Sequence, residues 1–427
     1  MRRYESYKDS GVEWLGEVPS HWEVENSKRV FSYRKDKAEK TDEQLTSSQK
    51  YGVIPQDLFM DLEGRRVTVV EFNYEILKHV EKGDFVISMR SFQGGIEYCN
   101  YTGCVSSAYV ALIPTSKVHS QYYRFLLKSV RYIEALQSTS NLVRDGQALR
   151  YENFCMVPLI VPPLSEQQKI AQFLDDKTAK IELAVDLAEK QIALLKEHKQ
   201  ILIQNAVTRG LNPDVPLKDS GVEWIGLVPE HWEVKKLKYL GNAIIGLTYS
   251  PDDLCDESEG ILVARSSNIQ NGSFVYSDNV YVKKQIPKKL QLKEQDILIC
   301  SRNGSRDLIG KCAYITKDQE KHTFGAFTTV FRSKYNPYLF YILNSEIFKR
   351  LSGNFLTSTI NQLTINNLNS IQVALPPLLE QKKIANCLEV QTAKIDQAIA
   401  LKTAHIEKLK EYKSVLINDV VTGKVRV

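Results

Sequence analysis

The side chains best suited to directional chemistry in this 427-residue chain are arginines and amides set in glycine-rich runs. One run is Arg90-Ser91-Phe92-Gln93-Gly94-Gly95, after the apolar stretch in Gly83–Arg90 (GDFVISMR); the other is Arg302-Asn303-Gly304-Ser305-Arg306, after Gln295–Arg302 (QDILICSR). Reading base edges requires such groups: Arg for guanine, Asn or Gln for adenine, Ser or Thr for either. Phosphates are held by Lys, Arg, Ser, Tyr and backbone amides. Glycines allow a backbone to approach a groove closely. Weaker candidates of the same type are Arg65 and Arg66, Arg265 with Ser266 and Asn268, Arg144 with Gln147, and Thr359 with Asn361. Taken singly, each competes with an ordinary surface turn.

Catalytic patterns fail on spacing. Gly304–Cys312 (GSRDLIGKC) approaches a phosphate-binding loop, but it has one residue too many between its glycines. It also carries Cys312 where a magnesium-binding Ser or Thr belongs. Glu197-His198-Lys199 and Glu411-Tyr412-Lys413 approach a nuclease E-x-K, yet they fall on helical segments, where residues two apart do not share a face. No G-x-G-x-x-G follows a strand, and the two Pro-Pro pairs read VPPL and LPPL, unlike the N/D-P-P-Y of an adenine methyltransferase. His21 and His231 lie in a repeated H-W-E-V and read as packing partners of the adjacent tryptophans. These absences point to a chain that is not an enzyme by itself and has no metal site.

Composition agrees with a globular protein of about three domains: 43% hydrophobic and 25% charged residues. There is no apolar run of membrane-spanning length and no signal peptide. Seven dispersed cysteines without a C-x-x-C pair fit reduced thiols and a cytoplasmic location. A net charge of +5 permits polyanion binding without requiring it.

The elements that must position these residues come in two copies. Lys8–Val24 (KDSGVEWLGEVPSHWEV) and Lys218–Val234 (KDSGVEWIGLVPEHWEV) agree at all but three positions and contain all four tryptophans. Further on, PPLSEQQKIAQFLDDKTAKIELAV from Pro162 matches PPLLEQKKIANCLEVQTAKIDQAI from Pro376. The regions between have diverged far more. A shared frame with unlike inserts predicts one architecture with two surface specificities.

After each Pro-Pro-Leu, a stretch without proline or glycine carries apolar residues at heptad spacing. The first seam is Leu174, Ile181, Val185, Ile192, Leu195 and Leu202; the second is Leu388, Ile395, Ile399, Ile406, Leu409 and Leu416, interrupted by Lys402. Such seams predict coiled-coil helices. If the two pair with each other and run antiparallel, they form a rod that fixes a distance.

Together these motifs, over essentially the whole chain, resemble the specificity subunits of type I restriction-modification systems. The resemblance implies a mixed α+β fold: two target-recognition domains of α/β character separated by two long antiparallel coiled-coil helices in a pseudo-two-fold repeat. The expected divisions are 1–161, a first recognition domain; 162–210, the first spacer helix; 211–375, a second recognition domain; and 376–427, the second spacer helix with a C-terminal tail. Each domain would bind one half of a bipartite, asymmetric double-stranded DNA site, while the helices set the spacer and dock two modification subunits. The implied cofactors, S-adenosylmethionine, ATP and Mg, belong to the modification and restriction subunits, and none to this chain.

Two other readings stay open on the residues alone. One is a protein–protein adaptor, which would show no salt-sensitive, sequence-dependent DNA affinity. The other is a fused methyltransferase, which would methylate DNA unaided.

Overall fold

A computed structural model of the protein describes residues 2–67, 74–88, 91–139, 149–354 and 361–427, without the side chains of Phe92 and Asn354. The chain forms two units: residues 1–188 with 403–427, and residues 189–402.

Each unit begins its frame with the tryptophan motif, which folds as a small antiparallel hairpin. Tyr7–Asp9 pairs with Glu17–Pro19, and Leu217–Asp219 pairs with Leu227–Pro229 in the matching register. The repeated Asp-Ser-Gly turns the chain. Asp9 and Asp219 accept the N–H of Gly11 and Gly221 at 2.9 Å, while Ser10 and Ser220 accept that of Val12 and Val222. Gly11 (φ 68°) and Gly221 (φ 70°) occupy the left-handed region, which a side chain would disfavour. Trp22 and Trp232 are wholly buried.

The strand after each hairpin, Glu23–Glu25 or Glu233–Lys236, pairs antiparallel with the strand before each Pro-Pro, Leu159–Val161 or Gln372–Leu375. Between them sit the divergent regions. The first unit has a four-stranded antiparallel sheet in the order Phe31–Tyr33, Val110–Pro114, Phe85–Ile87, Glu97–Tyr98. The second unit repeats that order with Asn242–Ile245, Thr328–Arg332, Ile297–Cys300 and Cys312–Tyr314, then extends it with Gly272–Phe274 and Ile269–Gln270. A further sheet of four short strands in the second unit contains Ile261–Ala264 beside Thr323–Phe324. Two unlike surfaces thus grow on one sheet plan, and the fold is mixed α+β.

The apolar runs flagged in the sequence, Phe85–Ile87 and Ile297–Cys300, are fully buried strands of these sheets. The polar turn before each has its own task. Asp84 and Asp296, both almost fully buried, receive the guanidinium of Arg34 and Arg332, with Nε to carboxylate distances of 2.6 and 2.8 Å. Both arginines lie on neighbouring parts of the sheet, so each pair ties the turn to the strands beside it.

Two long helices, Leu164–Arg209 and Leu378–Val421, follow the Pro-Pro boundaries. At 1.5 Å per residue the first spans about 69 Å. All twelve seam positions are covered: Leu174, Ile181, Leu388, Ile395, Ile406 and Leu416 are buried, and Val185, Ile192, Leu195, Leu202, Ile399 and Leu409 are half-buried. The a/d pattern also runs through polar residues, of which Lys402 is evident from the sequence. Thr178 and Thr392 are buried within it, and Lys199, Lys402 and Lys413 are half-buried. Lys402, the interruption, donates to Gln191 Oε1 at 2.6 Å. Lys199 pairs with Asp396 in the same unit. From Gln191 to Lys199 the partner number falls from 402 to 396, so these segments run antiparallel.

In each unit a short helix, Ser120–Leu126 or Asn336–Leu343, grips the end of a long helix that comes from the other half of the sequence. Tyr122 donates to Val421 O at 2.7 Å and Tyr123 to Ile160 O at 2.8 Å. In the second unit Tyr338 does both jobs alone, donating to Val207 O (3.2 Å) and Ala374 O (3.0 Å). Each unit has its own apolar core, one built on Trp22 and one on Trp232, and the first carries a small satellite cluster around Val53 and Val86. Among the described residues no helix is long and apolar enough to cross a membrane.

Candidate nucleic-acid interface

Several loops of the second unit converge on a cleft of about 920 Å³, one of them the segment 247–254. The others are the segment after Ile261–Ala264, the segment after Ile297–Cys300, and the turn before Thr328–Arg332. Arg265, the adjacent pair Arg302-Asn303, and Asn361, drawn from three separate parts of the sequence, line it together.

Their environments separate their roles. Arg265 is neutralised by an ion pair with Asp278 and also donates to Asp278 O at 2.9 Å. Asn268 is fully buried, and its amide donates to Val275 O, Ser277 O and Asn279 Oδ1 while its oxygen accepts the Arg265 N–H. Every direction open to that amide is used inside the protein, so Asn268 shapes the loop and presents nothing outward. Asn303 donates to Ser266 Oγ at 3.0 Å and accepts the Ser305 N–H at 2.9 Å. Asn361 donates to Gly304 O at 3.1 Å. Arg306 is exposed and donates to Gly353 O at 3.1 Å; Ser305 is exposed beside it. Arg302 is exposed, and its guanidinium lies 5.3 Å from the centre of the Phe327 ring.

Phe327 escaped the sequence reading. It is 61% exposed and lines the cleft beside Arg302. Its sequence context, Gly-Ala-Phe before an apolar strand, looks the same whether the ring faces in or out.

The first unit gathers its candidates less tightly. Arg90, Arg144, Gln147 and, in the second unit, Thr359 lie outside the described residues. Ser91 is buried, and its hydroxyl accepts the Ser88 N–H at 2.8 Å, so it closes a turn rather than facing outward. Gln93 is exposed. The glycines here serve packing. A Cβ on Gly95, whose φ is 81°, would sit 2.3 Å from Leu127 O, whereas Gly304 in the second unit has open space around it. Arg65 and Arg66 are exposed after the helix Gln56–Glu63.

The near-misses for catalysis also find places. The Gly304–Cys312 loop leads into the strand Cys312–Tyr314, not into the helix that a phosphate-binding loop requires. Lys199 and Lys413 of the two E-x-K runs are engaged across the helix seam by Asp396 and Glu182. His21 and His231 do contact their tryptophans, but each also meets a glutamate in the first turn of a long helix. The distances are 2.7 Å to Glu166 and 2.8 Å to Glu380. Among the described residues no cluster of three or more His, Cys, Asp or Glu is placed to hold a metal ion.

This arrangement, two unlike loop surfaces on one duplicated frame, matches a known family model twice. The type I restriction modification DNA specificity domain aligns with residues 19–191 and again with residues 229–411. The chain belongs to that family. It is a specificity subunit with two tandem DNA specificity domains. Among its relatives, the type I restriction enzyme MjaVIII specificity subunit of Methanocaldococcus jannaschii is 28% identical over 96% of this chain and 94% of its own length. The EcoKI specificity subunit of Escherichia coli is 28% identical over 47% of this chain and 44% of its own. The same fold occurs in a chain from a study of complex assembly and conformational transition of the type I R-M system. Its TM-score is 0.73 at 13% identity, covering 96% of this chain and 99% of that one. The HsdS subunit of Thermoanaerobacter tengcongensis has a TM-score of 0.56 at 14% identity, with coverage of 96% and 98%. As a member of this family the chain is a DNA-recognition component.

Proposed function

We propose that this specificity subunit selects a bipartite, asymmetric double-stranded DNA site, residues 1–161 binding one half and residues 211–375 the other. The paired helices set the number of unspecified bases between the halves and dock two modification subunits. Methyl transfer from S-adenosylmethionine belongs to those subunits, and ATP- and Mg-dependent translocation and cleavage belong to restriction subunits. The chain itself makes no bond, binds no cofactor and works in the cytoplasm.

The observation that carries this reading is the repetition of the frame around unlike sheets. Tryptophan hairpin, tyrosine grip and seam ion pair recur in both units, while one sheet has four strands and the other six. Equivalent frames offer a partner two equivalent docks, whereas unlike loops read unlike sequences. Within each domain, phosphate contacts supply most of the affinity and a few base contacts supply the choice.

Mapping methylated adenines in a host that carries this chain with its modification and restriction subunits tests the proposal. The expected result is one motif with two different halves and a fixed interval. Replacing residues 1–161 by the corresponding domain of a relative should change one half only. A motif with a single continuous half, or changes in both halves, would overturn it.

A further inference from the structure

We infer that Arg302, held over the ring of Phe327, is the base-reading side chain of the second recognition domain and that it reads a guanine. This rests on the DNA-recognition reading and names the residue and the base on which part of it depends.

The cleft selects Arg302 by elimination. Arg265 has its charge cancelled by Asp278. Asn303, Asn361 and Asn268 have their amides turned inward onto neighbouring loops. Arg302 has no carboxylate partner among the described residues. It is also exposed at the cleft, so its guanidinium fork is open to a ligand, whereas the unpaired Arg265 Nε and Ser267 Oγ that share the cleft are buried.

Arg302 is also held in place. Its backbone N–H donates to Phe327 O at 3.0 Å, and the N–H and hydroxyl of Ser301 donate to the same oxygen, each at 3.1 Å. On the other side it bridges to Gln362, and Leu363 N–H donates to Ser301 O at 2.8 Å. A flexible arginine would lose side-chain freedom on binding, whereas one laid on an aromatic ring has lost part of it already. A guanidinium on a ring face keeps its in-plane N–H fork free, the geometry that matches O6 and N7 of guanine and that lysine lacks. Phe327 is therefore a positioning residue: it acts through Arg302 and needs no contact with a base.

The test uses the full chain assembled with its modification subunits and a pool of randomised DNA duplexes, with selected sequences read out for wild type, Arg302→Ala, Arg302→Lys and Phe327→Ala. Thermal unfolding of each variant establishes that it is folded, and Arg302→Lys keeps the charge should Arg302→Ala fail to fold. Arg302→Ala and Arg302→Lys should both lose roughly ten- to a hundred-fold discrimination at one G·C pair in one half-site, with the other half unchanged. Phe327→Ala should weaken preference at that same pair by a smaller factor. Variants that keep the wild-type consensus would overturn the assignment while leaving the recognition function standing. A uniform loss over all sequences, with a shallower salt dependence and retention by Arg302→Lys, would overturn it in favour of a phosphate contact. No consensus from the wild-type complex itself would bring down the underlying reading instead.

Discussion

Lys199 donates to both carboxylate oxygens of Asp396, at 2.8 and 2.7 Å, from a heptad position that an apolar residue would ordinarily fill. Moved by one repeat interval along the chain, the same pair reappears as Lys413 with Glu182 at 2.6 Å. Each lysine stem lies in the seam while its ammonium reaches a carboxylate on the partner helix, so the pairs select the alignment of the helices rather than supplying bulk stability. Both acids are more than half exposed, which limits the worth of each pair to about 0.2–1 kcal/mol. A double-mutant cycle on Lys199 and Asp396 should return a coupling in that range that shrinks with added salt. Charge reversal at Lys199 alone should destabilise the chain, and reversal at both residues should restore it. A coupling of zero at low salt would refute the alignment role.

The clamp at the start of each long helix is unequal in the two units. Glu166 receives the Trp22 Nε1–H at 3.0 Å as well as His21, whereas Glu380 meets His231 and the buried Trp232 Nε1 has no partner. Glu166→Ala should therefore cost about 1–3 kcal/mol by stranding the Trp22 donor, and Glu380→Ala markedly less. Tryptophan fluorescence during urea unfolding measures both, because all four tryptophans lie in these two motifs. Burial pushes the Glu166 carboxyl up, but the hydrogen bonds from Trp22 and His21 outweigh burial and hold it below its ordinary value of 4.5. Its contribution should accordingly be present above that pH and be lost on acidification, a loss that Glu166→Ala removes.

Glu97 titrates in the opposite direction. Burial pushes its carboxyl up to about 7, more than the nearby Lys128 ammonium at 2.7 Å pulls it down. The folded state then holds a proton that the unfolded state has released. Stability from this group is full below about 4.5 and is lost as pH rises through 7, by about 3 kcal/mol. Glu97→Gln should flatten the stability profile of the first unit across that window; an unchanged slope would show that another group sets it.

Asn268→Ala should destabilise the second unit by roughly 1–2 kcal/mol, because it removes the fully buried amide that bonds the carbonyls of Val275 and Ser277 and accepts the Arg265 N–H. Thermal unfolding reads this directly. Asn268→Asp should fare no better, since it keeps the acceptor but loses the donors that hold Val275 and Ser277.

Arg65 and Arg66 should behave as phosphate contacts. Replacing both with alanine should weaken DNA binding of the assembled complex about equally for all sequences and lower the salt slope by roughly one for each arginine. A change in site preference would instead make one of them a base reader.

The sequence by itself determined the repeated frame. Tryptophan motifs, Pro-Pro boundaries and heptad seams are local and periodic, and all twelve seam residues proved to be covered because a 3.5-residue spacing puts them on one helix face. It also marked Arg265, Arg302 and Asn303 as residues with the right donors. Tertiary structure decided which of those donors are free. Asn268 and Arg302 both looked like readers, yet one is enclosed by the carbonyls of Val275 and Ser277 and the other lies exposed over Phe327. It likewise brought Asp278 to Arg265, Glu166 to His21 and Asp396 to Lys199. Spacing along a chain reports which face of an element a residue occupies. What that residue meets there depends on contacts from distant segments, and those form only when the sheets and helices pack.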